Sequence, residues 1–314
     1  MFSVIGNGKW GIAIATYLAK RFNVELIGRR IKPVNAKYIE QTTAWQAKHD
    51  VVIYAAPAHL APMILTKIGS SNKHKTCLIF SKGLVCDGEQ AVTTLYDYCR
   101  SKFKHVAVMQ GPSFADEFNQ GYPTALVCAE ENAALMTQVT DWFSQPPVLL
   151  QHSYDPIGVS IAGAFKNPVA MLMGYLDAAK PSANFRYAFL TYANQVLSVM
   201  IQAMGGNPLT AYGYAGQGDL LMTATTDLSR NRRFGQLLYK GCSAQEAKLI
   251  IGETIAGLDA LDLLVRYCQA KGHTFELLNL VQLMTTDTIT AETLMSQLID
   301  LMQATKSVSQ NAVV

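Results

Sequence analysis

The feature that most constrains the fold is a glycine-rich loop that directly follows the first apolar run. Phe2–Ile5 has the composition of a buried strand, and the chain then continues as Gly6-Asn7-Gly8-Lys9-Trp10-Gly11. In a G-x-G-x-x-G loop the first glycine permits a tight turn, the second lets the backbone approach a pyrophosphate, and the third allows close helix–strand packing. The next helix then offers unpaired N–H groups to phosphates. The loop predicts dinucleotide binding rather than a chance glycine-rich turn.

The first half of the chain has the pattern of an open α/β sheet. Short apolar runs alternate with segments of helical spacing, such as Trp10–Arg21 and Gln90–Ser101. This alternation is typical of a doubly wound parallel sheet. The strand candidates are Phe2–Ile5, Val24–Ile27, Val51–Ala55, Cys77–Phe80, Val106–Met109, Ala125–Ala129 and the short run Val148–Leu150.

Beyond about Asp155 the strand signals fade and helical spacing dominates. The predicted helices are Ile157–Ala178, Phe185–Met204, Ala244–Ile250, Thr254–Ala270, Leu277–Met284 and Ala291–Gln303, and we expect a frayed tail after Thr305. We therefore predict an α/β fold with two domains. A Rossmann-like, doubly wound parallel sheet spans residues 1–150, and an all-helical domain that carries substrate and catalytic residues spans residues 151–314.

Composition excludes several classes of function. The net charge of +3 is too small to indicate a nucleic-acid partner. The six cysteines form no C-x-x-C pair, which argues against a metal site and favours reduced cytosolic thiols. The first strand leaves no room for a targeting segment, so we expect a cytoplasmic protein. Ile157–Leu176 is long enough to span a membrane, but Lys166, Asn167 and Pro168 at its centre argue against stable insertion.

The end of the second strand bears on the choice of cofactor. NAD sites usually place Asp or Glu roughly 20 residues beyond the glycines, where the carboxylate binds the ribose hydroxyls. This chain has Arg29 and Arg30 there, and arginine suits the 2′-phosphate of NADP. We expect NADP(H) to be favoured, with NAD(H) left open. The alternative is that both arginines are solvated charges at the end of a strand.

Four further segments carry polar chemistry. Two follow predicted strands, where ligands collect in open α/β sheets, and one interrupts the long apolar helix. The last combines arginine, asparagine and hydroxyls, which suits a phosphate. Taken singly, a lysine on an apolar helix is more often a snorkelling residue, and an arginine-rich run is often a charged helix start. The segments are Ser81–Leu84, Gly111–Glu117, Ala164–Pro168, and Gly216–Leu220 with Thr223 and Ser229–Gly235.

In this order, the glycine loop and the four segments resemble the NAD(P)-dependent glycerol-3-phosphate dehydrogenase family. That family shows G-x-G-x-[WY]-G, [ST]-K-G-L, G-P-[ST]-F-A-x-E, a K-N pair, and G-x-G-D-L followed by S-R-N-R-x-x-G. The resemblance covers residues 1 to about 260. It implies interconversion of dihydroxyacetone phosphate and sn-glycerol 3-phosphate, which supplies glycerophospholipid synthesis, by a cytoplasmic homodimer.

The resemblance also implies roles for individual residues. Lys166 is similar to the catalytic general acid/base, and Lys82 and Asp219 are the other two residues for which a catalytic role is expected. The implied substrate ligands are Lys82, Gly111, Ser113, Lys166, Asn167, Asp219, Thr223, Ser229, Arg230 and Asn231. The implied cofactor ligands are Gly6, Gly8, Lys9, Trp10, Gly11, Arg29, Arg30, Lys82, Ala115, Arg230 and Thr254.

The chain departs from the family pattern at three places. The segment between Arg30 and Val51 is short, and the family's T-R-G-x-x-E-M stretch is replaced around Tyr192. The acidic residue of the family's V-x-E-G pattern is Ala256 here, with Glu253 as a nearby candidate to compensate.

Two alternative functions remain open at this stage. One is a related β-hydroxyacid-type dehydrogenase with a carboxylate substrate, against which the cluster Ser229–Asn231 argues. The other is a non-catalytic, NADP-binding sensor or scaffold, which the departures at Tyr192 and Ala256 would allow.

Overall fold

The computed structural model describes residues 1–34, 38–68, 72–88, 92–286 and 288–304. Its main sheet has eight strands, and a separate hairpin has two. The main strands are β1 (Phe2–Ile5), β2 (Val24–Ile27), β3 (Ile39–Thr42), β4 (Val51–Tyr54), β5 (Thr76–Ile79), β8 (His105–Gln110), β9 (Thr124–Ala129) and β10 (Val148–Ser153). The hairpin consists of β6 (Leu84–Cys86) and β7 (Val92–Thr94).

The strand order is β10-β9-β8-β5-β4-β1-β2-β3, and β1 lies inside the sheet between β2 and β4. All seven predicted strands are present, and β3 is an additional edge strand that the sequence analysis missed. The predicted Rossmann-like sheet is confirmed and is mainly parallel, with one reversal that the sequence did not indicate: β9 runs antiparallel to β8, and β10 runs parallel to β9. A buried apolar run such as Ala125–Ala129 has the same composition in either direction, so its pattern could not show the reversal.

Helices cover both faces of the sheet and form the second half of the chain. Around the sheet lie α1 (Lys9–Leu18), α2 (Ala61–Ile68), α3 (Leu95–Arg100), α4 (Ala115–Asn119) and α5 (Ala133–Trp142). The helical half consists of α6 (Pro156–Ala178), α7 (Ala183–Ala203), α8 (Asp219–Thr225), α9 (Arg230–Tyr239), α10 (Ala244–Ile251), α11 (Ala256–Ala270), α12 (Glu276–Thr285) and α13 (Ala291–Ala304).

Most helix predictions agree with the structure to within three residues at each end. The helix predicted over Gln90–Ser101 is shorter than expected, because residues 92–94 form β7 and the helix begins at Leu95 with Thr94 as its N-cap. Residues 90 and 91, like the tail after Thr305, lie outside the described residues. The short helices α8 and α9 were not predicted, because their polar residues interrupt the apolar pattern by which a helix is recognised in sequence.

The long helix α6 is the central element of the helical half. It packs against α7, α8, α9 and α11, and its apolar side chains form one core with theirs. It is also long and apolar enough to span a membrane, but 94% of its most apolar window is buried inside the protein. This burial identifies it as a core helix. We expected Pro168 to interrupt it, and that was wrong: the helix is continuous, because packing on several sides offsets the missing hydrogen bond.

Two glycines allow α6 and α9 to touch backbone to backbone. A methyl group on Gly174 of α6 would lie 1.9 Å from the carbonyl oxygen of Arg232. A methyl group on Gly235 of α9 would lie 1.8 Å from the carbonyl oxygen of Met171. Real atoms cannot approach so closely, so each glycine is required for this spacing.

We predict that Gly235→Ala destabilises the protein by about 1–3 kcal/mol, because the two helices must separate to admit the methyl group. Urea unfolding would measure the loss. The matched control is Gly213→Ala, where the new methyl group would lie 3.6 Å from the carbonyl oxygen of Thr210, an ordinary contact. Equal stability of the two variants would contradict the tight contact.

Candidate active site

The glycine loop after β1 forms an open cradle at the carboxyl edge of the sheet. Gly6 has φ +104°, and Gly11 packs so closely that a methyl group there would lie 1.7 Å from the carbonyl oxygen of Gly6. A methyl group on Gly8 would meet nothing within 4 Å. Gly8 is also the N-cap of α1 and supplies no side-chain cap, so the first N–H groups of that helix face this open space. The loop fits a pyrophosphate.

The predicted cofactor residues Lys9, Trp10 and Ala115 lie together beside this cradle. Lys9 Nζ lies 3.1 Å from Asp116 Oδ2, which joins the start of α1 to α4. The Trp10 ring packs edge-on against Phe118 of α4 at a centroid distance of 5.1 Å. Ala115 is the first residue of α4. These contacts place the segment after β8 against the glycine loop.

Arg29 and Arg30 lie at the far end of the cradle, directly after β2. Both are exposed, and neither guanidinium makes a hydrogen bond or ion pair with any other residue that the structure describes. The side-chain amide of Asn7 donates to the carbonyl oxygen of Arg30 at 2.6 Å, which ties this turn to the glycine loop. Lys32, which the sequence analysis did not single out, lies in the same turn.

The loop after β5 and the helices α6 and α8 hold one carboxylate between two lysines. Asp219 begins α8 and is fully buried. Its Oδ1 accepts a hydrogen bond from Lys166 of α6 at 2.5 Å, and its Oδ2 accepts one from Lys82, after β5, at 2.6 Å. Lys166 is buried, whereas the side chain of Lys82 keeps 18% exposure. Three distant segments therefore bring their charged groups to one point, as the sequence analysis expected of Lys82 and Lys166.

Neutral groups complete this lysine cluster. The Thr223 hydroxyl accepts from Lys166 Nζ at 2.9 Å and donates to the backbone carbonyl of Asp219 at 2.7 Å. Lys82 Nζ also donates to the carbonyl oxygen of Gly111 at 3.2 Å, and Ser113 donates to the same oxygen at 2.9 Å. The predicted ligands Gly111 and Ser113 are thus held beside Lys82, and Thr223 is held beside Lys166.

The environment of Lys166 changes its acidity. Burial, which disfavours the ammonium, is the main cause that lowers its pKa to about 7. Asp219 raises the pKa, and the nearby ammonium of Lys82 lowers it. Lys166 is therefore poised to give or take a proton near neutral pH.

A second group of predicted residues lies beside the cluster, between α6 and α9. Asn231 donates to the side-chain oxygen of Asn167 at 2.9 Å and accepts from the backbone N–H of Gly257 at 2.9 Å. Ser229 is the N-cap of α9, and its hydroxyl accepts from the N–H of Arg232. The hydroxyl of Ser229 is thus engaged in capping, and both asparagines are held at fixed positions.

Arg230 reaches into solvent from the start of α9. Its guanidinium lies 2.9 Å from Glu253 Oε2, and both side chains are about half exposed. The substitute acid that the sequence analysis named for Ala256 therefore contacts Arg230 directly. Thr254 and Ala256 themselves are exposed, and Tyr192 is buried in α7, where it packs in the helical core.

Sequence reasoning missed two groups of supporting residues. Arg232 is buried and pairs with Asp177 at the end of α6, at 2.8 Å, and also with Asp227. Gln110, at the end of β8, is buried and donates to the backbone carbonyl of Ser81 at 3.2 Å. Arg232 is the second arginine of the predicted phosphate segment, and its place in that segment was the one sequence feature that could have drawn attention to it. Nothing in the sequence distinguished Gln110.

No group of three or more His, Cys, Asp or Glu side chains that could hold a metal ion occurs in the described ranges.

Comparison with known proteins identifies the relatives of this chain. It matches the family models described as NAD-dependent glycerol-3-phosphate dehydrogenase N-terminus, over residues 35–136, and C-terminus, over residues 155–296. The glycine loop precedes the first matched residue. Residues 155–296 contain Lys166, Asp219 and the α9 ligands.

Individual relatives agree with this match. A glycerol-3-phosphate dehydrogenase named for NAD(P)+ from Synechococcus sp. (strain RCC307) is 32% identical, over 81% of this chain and 82% of its own length. The enzyme of the same name from Halothermothrix orenii is 30% identical, over 88% of this chain and 86% of its own length. The crystal structure of the Coxiella burnetii glycerol-3-phosphate dehydrogenase has the same fold, with a TM-score of 0.84, 24% identity, and coverage of 96% of this chain and 98% of that one.

We predict that Lys166 makes stability depend on pH. Its pKa is about 7 in the folded protein and ordinary, near 10.4, in the unfolded chain. Between these values the unfolded state binds more protons, so the free energy of unfolding should rise as the pH is raised from 7 to 10. Urea unfolding at several pH values would show a shallower rise for Lys166→Met than for Lys248→Met, an exposed control on α10. The same slope in both variants would contradict the lowered pKa.

Proposed function

The chain belongs to the NAD-dependent glycerol-3-phosphate dehydrogenase family, and we propose that its lysine cluster performs the proton transfer of that family's reaction. The enzyme interconverts dihydroxyacetone phosphate and sn-glycerol 3-phosphate with a nicotinamide cofactor. The single observation that carries the proposal is the contact of Lys166 and Lys82 with the two carboxylate oxygens of Asp219.

The proton-transfer role follows from the chemistry of the ketone. When bound, the reduced nicotinamide supplies a hydride, and the carbonyl oxygen of the substrate must then gain a proton. Lys166 is suited to donate it, because its pKa of about 7 makes the ammonium a ready acid at neutral pH. In the reverse direction neutral Lys166 accepts the proton of the alcohol. Asp219 and Thr223 hold its Nζ in place through both directions.

The partly exposed lysine has a different task. The side-chain nitrogen of Lys82 donates to Asp219 and to the carbonyl oxygen of Gly111, and these two contacts fix its position. A fixed cation stabilises the negative charge that develops on the carbonyl oxygen. Lys82, Gly111 and Ser113 would thereby orient the reacting end of the substrate.

The phosphate end of the substrate suits the start of α9. Arg230 can bind two phosphate oxygens at once, and the amino end of the helix favours an anion. Asn167, Asn231 and Ser229 line the adjacent position, where they are already ordered by their own hydrogen bonds. Binding there would require Arg230 to exchange its exposed pairing with Glu253 for the phosphate. Holding both ends of a three-carbon substrate fixes the reacting carbon, which supplies much of the rate.

The cofactor site extends from the glycine loop to the turn after β2. Gly6, Gly8 and Gly11 would hold the pyrophosphate, with Lys9, Trp10 and Ala115 beside it and Thr254 near the nicotinamide end. Arg29 and Arg30 have free guanidinium groups among the described residues and no neighbouring carboxylate in their own turn, which favours the 2′-phosphate of NADP(H) over the ribose hydroxyls of NAD(H).

The cellular setting is part of the same proposal. The six cysteines are free thiols, which suits the reducing cytoplasm. The family resemblance supports a homodimer that supplies glycerophospholipid synthesis. We also propose that the sheet, to about residue 150, is the dinucleotide-binding domain and that residues 151–314 form the substrate domain; β10 ends at Ser153 and α6 begins at Pro156.

We predict that Lys166→Ala lowers kcat for reduction of dihydroxyacetone phosphate by at least about 100-fold, because the proton donor is lost. The fall in absorbance of NADPH and, separately, NADH would measure turnover. Lys248→Ala on the exposed face of α10 is the control and should keep its rate. Turnover by wild type that survives in Lys166→Ala would refute the role of this lysine. NADPH binding by wild type without turnover would favour a non-catalytic sensor.

We predict opposite pH profiles for the two directions. Reduction needs the Lys166 ammonium, so its kcat should fall as the pH rises through about 7, whereas oxidation needs the neutral amine and should speed up. Asp219→Asn removes the charge that raises this pKa, so the falling limb of reduction should move to lower pH. Asp300→Asn, on the exposed side of α13, should leave both profiles unchanged. An unshifted limb in Asp219→Asn would show that another group titrates.

A further inference from the structure

The turn after β2 concentrates positive charge. Arg29, Arg30 and Lys32 lie within four consecutive positions, and no acidic residue lies among residues 28–34. The nearby carboxylate of Glu40, on β3, is paired with Lys48 at 2.6 Å. The positive charge of the turn is therefore not neutralised within its own segment.

Lys32 is held in place by two other segments. Its Nζ donates to the carbonyl oxygen of Asn7, in the glycine loop, at 2.7 Å. Its backbone N–H donates to Gln41 Oε1 at 3.0 Å, and its carbonyl oxygen accepts from Gln41 Nε2 at 2.7 Å. One side-chain amide on β3 thus binds both backbone groups of Lys32.

The glycine loop reinforces this arrangement. Asn7 Nδ2 donates to the carbonyl oxygen of Arg30 at 2.6 Å. The Asn7 side chain lies so close over Gly28 that a methyl group there would lie 2.2 Å from its Cγ. The turn is therefore tied at three points to the loop that would hold the pyrophosphate of the same cofactor.

This fixation has a consequence for binding. A lysine loses side-chain entropy when a ligand immobilises it, and Lys32 has already lost much of that freedom. Its ammonium has three donors, and one is used on Asn7, so others remain for an incoming anion. A fixed cation close in the chain to two exposed arginines is suited to bind one phosphate group.

We propose that Lys32 is a third cationic ligand for the 2′-phosphate of NADP(H), and that Gln41 is the positioning residue that fixes it there. This inference rests on the proposed preference for NADP(H). It also gives a role to the short segment between Arg30 and Val51, because β3 follows closely enough for Gln41 to reach back to Lys32.

The test is the binding of NADPH and NADH to the full-length protein by isothermal titration calorimetry, without substrate. These two probes differ only in the 2′-phosphate. For Lys32→Met we expect the Kd of NADPH to rise at least 10-fold and the Kd of NADH to stay within 2-fold, with weaker salt dependence for NADPH. Lys20→Met, an exposed lysine after α1, removes the same charge and should change neither Kd.

The positioning role has its own variants. Gln41→Leu keeps every charge of the turn, so the Kd of NADPH should rise while its salt dependence and the Kd of NADH remain as in wild type. Gln41→Glu keeps the acceptor for the Lys32 N–H but places a negative charge beside the site, so it should weaken NADPH binding further. Unchanged NADH binding and an unchanged melting temperature would show that these variants still fold.

The outcomes separate the proposals. Tighter wild-type binding of NADPH than NADH, with Lys32→Met behaving like Lys20→Met, would overturn the role of Lys32 and leave the NADP(H) preference standing. A Gln41→Leu variant with wild-type Kd values would overturn the positioning role. Equal wild-type affinity for both probes would overturn the NADP(H) preference itself, whereas the reaction is tested independently by turnover with NADH.

Discussion

One buried carboxylate connects the two halves of this enzyme. Asp219 accepts hydrogen bonds from Lys82, which follows a strand of the sheet, and from Lys166, in the central helix of the other half. An isolated carboxylate would be costly to bury, and so would either ammonium, so the three groups stabilise one another only when all are in place. The burial that makes the cluster costly is also the main cause of the lowered pKa of Lys166. The stability of the fold and the proposed proton transfer therefore depend on the same contact.

The surrounding helices fix the positions of the elements that carry these groups. Close backbone contact at Gly174 and Gly235 fixes the spacing of α6 and α9, and the buried pair of Arg232 with Asp177 fixes their relative position along the axis. Because α6 carries Lys166 and α9 carries the proposed phosphate ligands, the distance between these two groups is set by packing rather than by loops. Gln110 holds the loop of Lys82 in a similar way from the sheet.

The sequence predicted the elements better than their directions and contacts. The glycine loop and the strand–helix alternation predicted the fold class, and the ordered motifs predicted Lys166 and Asp219 as members of one site. The reversal at β9 was not predictable, since an apolar run carries no information on direction. The hydrogen bonds of Gln41 and Gln110 to the backbone were not predictable either, because a glutamine in sequence is only a polar residue until its backbone partners are known. The pairing of Arg230 with Glu253 was foreseen only as a nearby acid that could compensate.

The reversal of the last two strands restricts where insertions and deletions can occur in the chain. Because β9 and β10 run opposite to β8, β10 ends at the edge of the sheet where β8 begins. Helix α6 must therefore run from Asp155 back toward the opposite edge to bring Lys166 beside Asp219. Lys166 lies about three helical turns from the start, and inserting one residue would rotate it by about 100° and raise it by about 1.5 Å. The stretch between Asp155 and Lys166 therefore acts as a spacer of fixed length. An insertion or deletion there would move Lys166 away from Asp219.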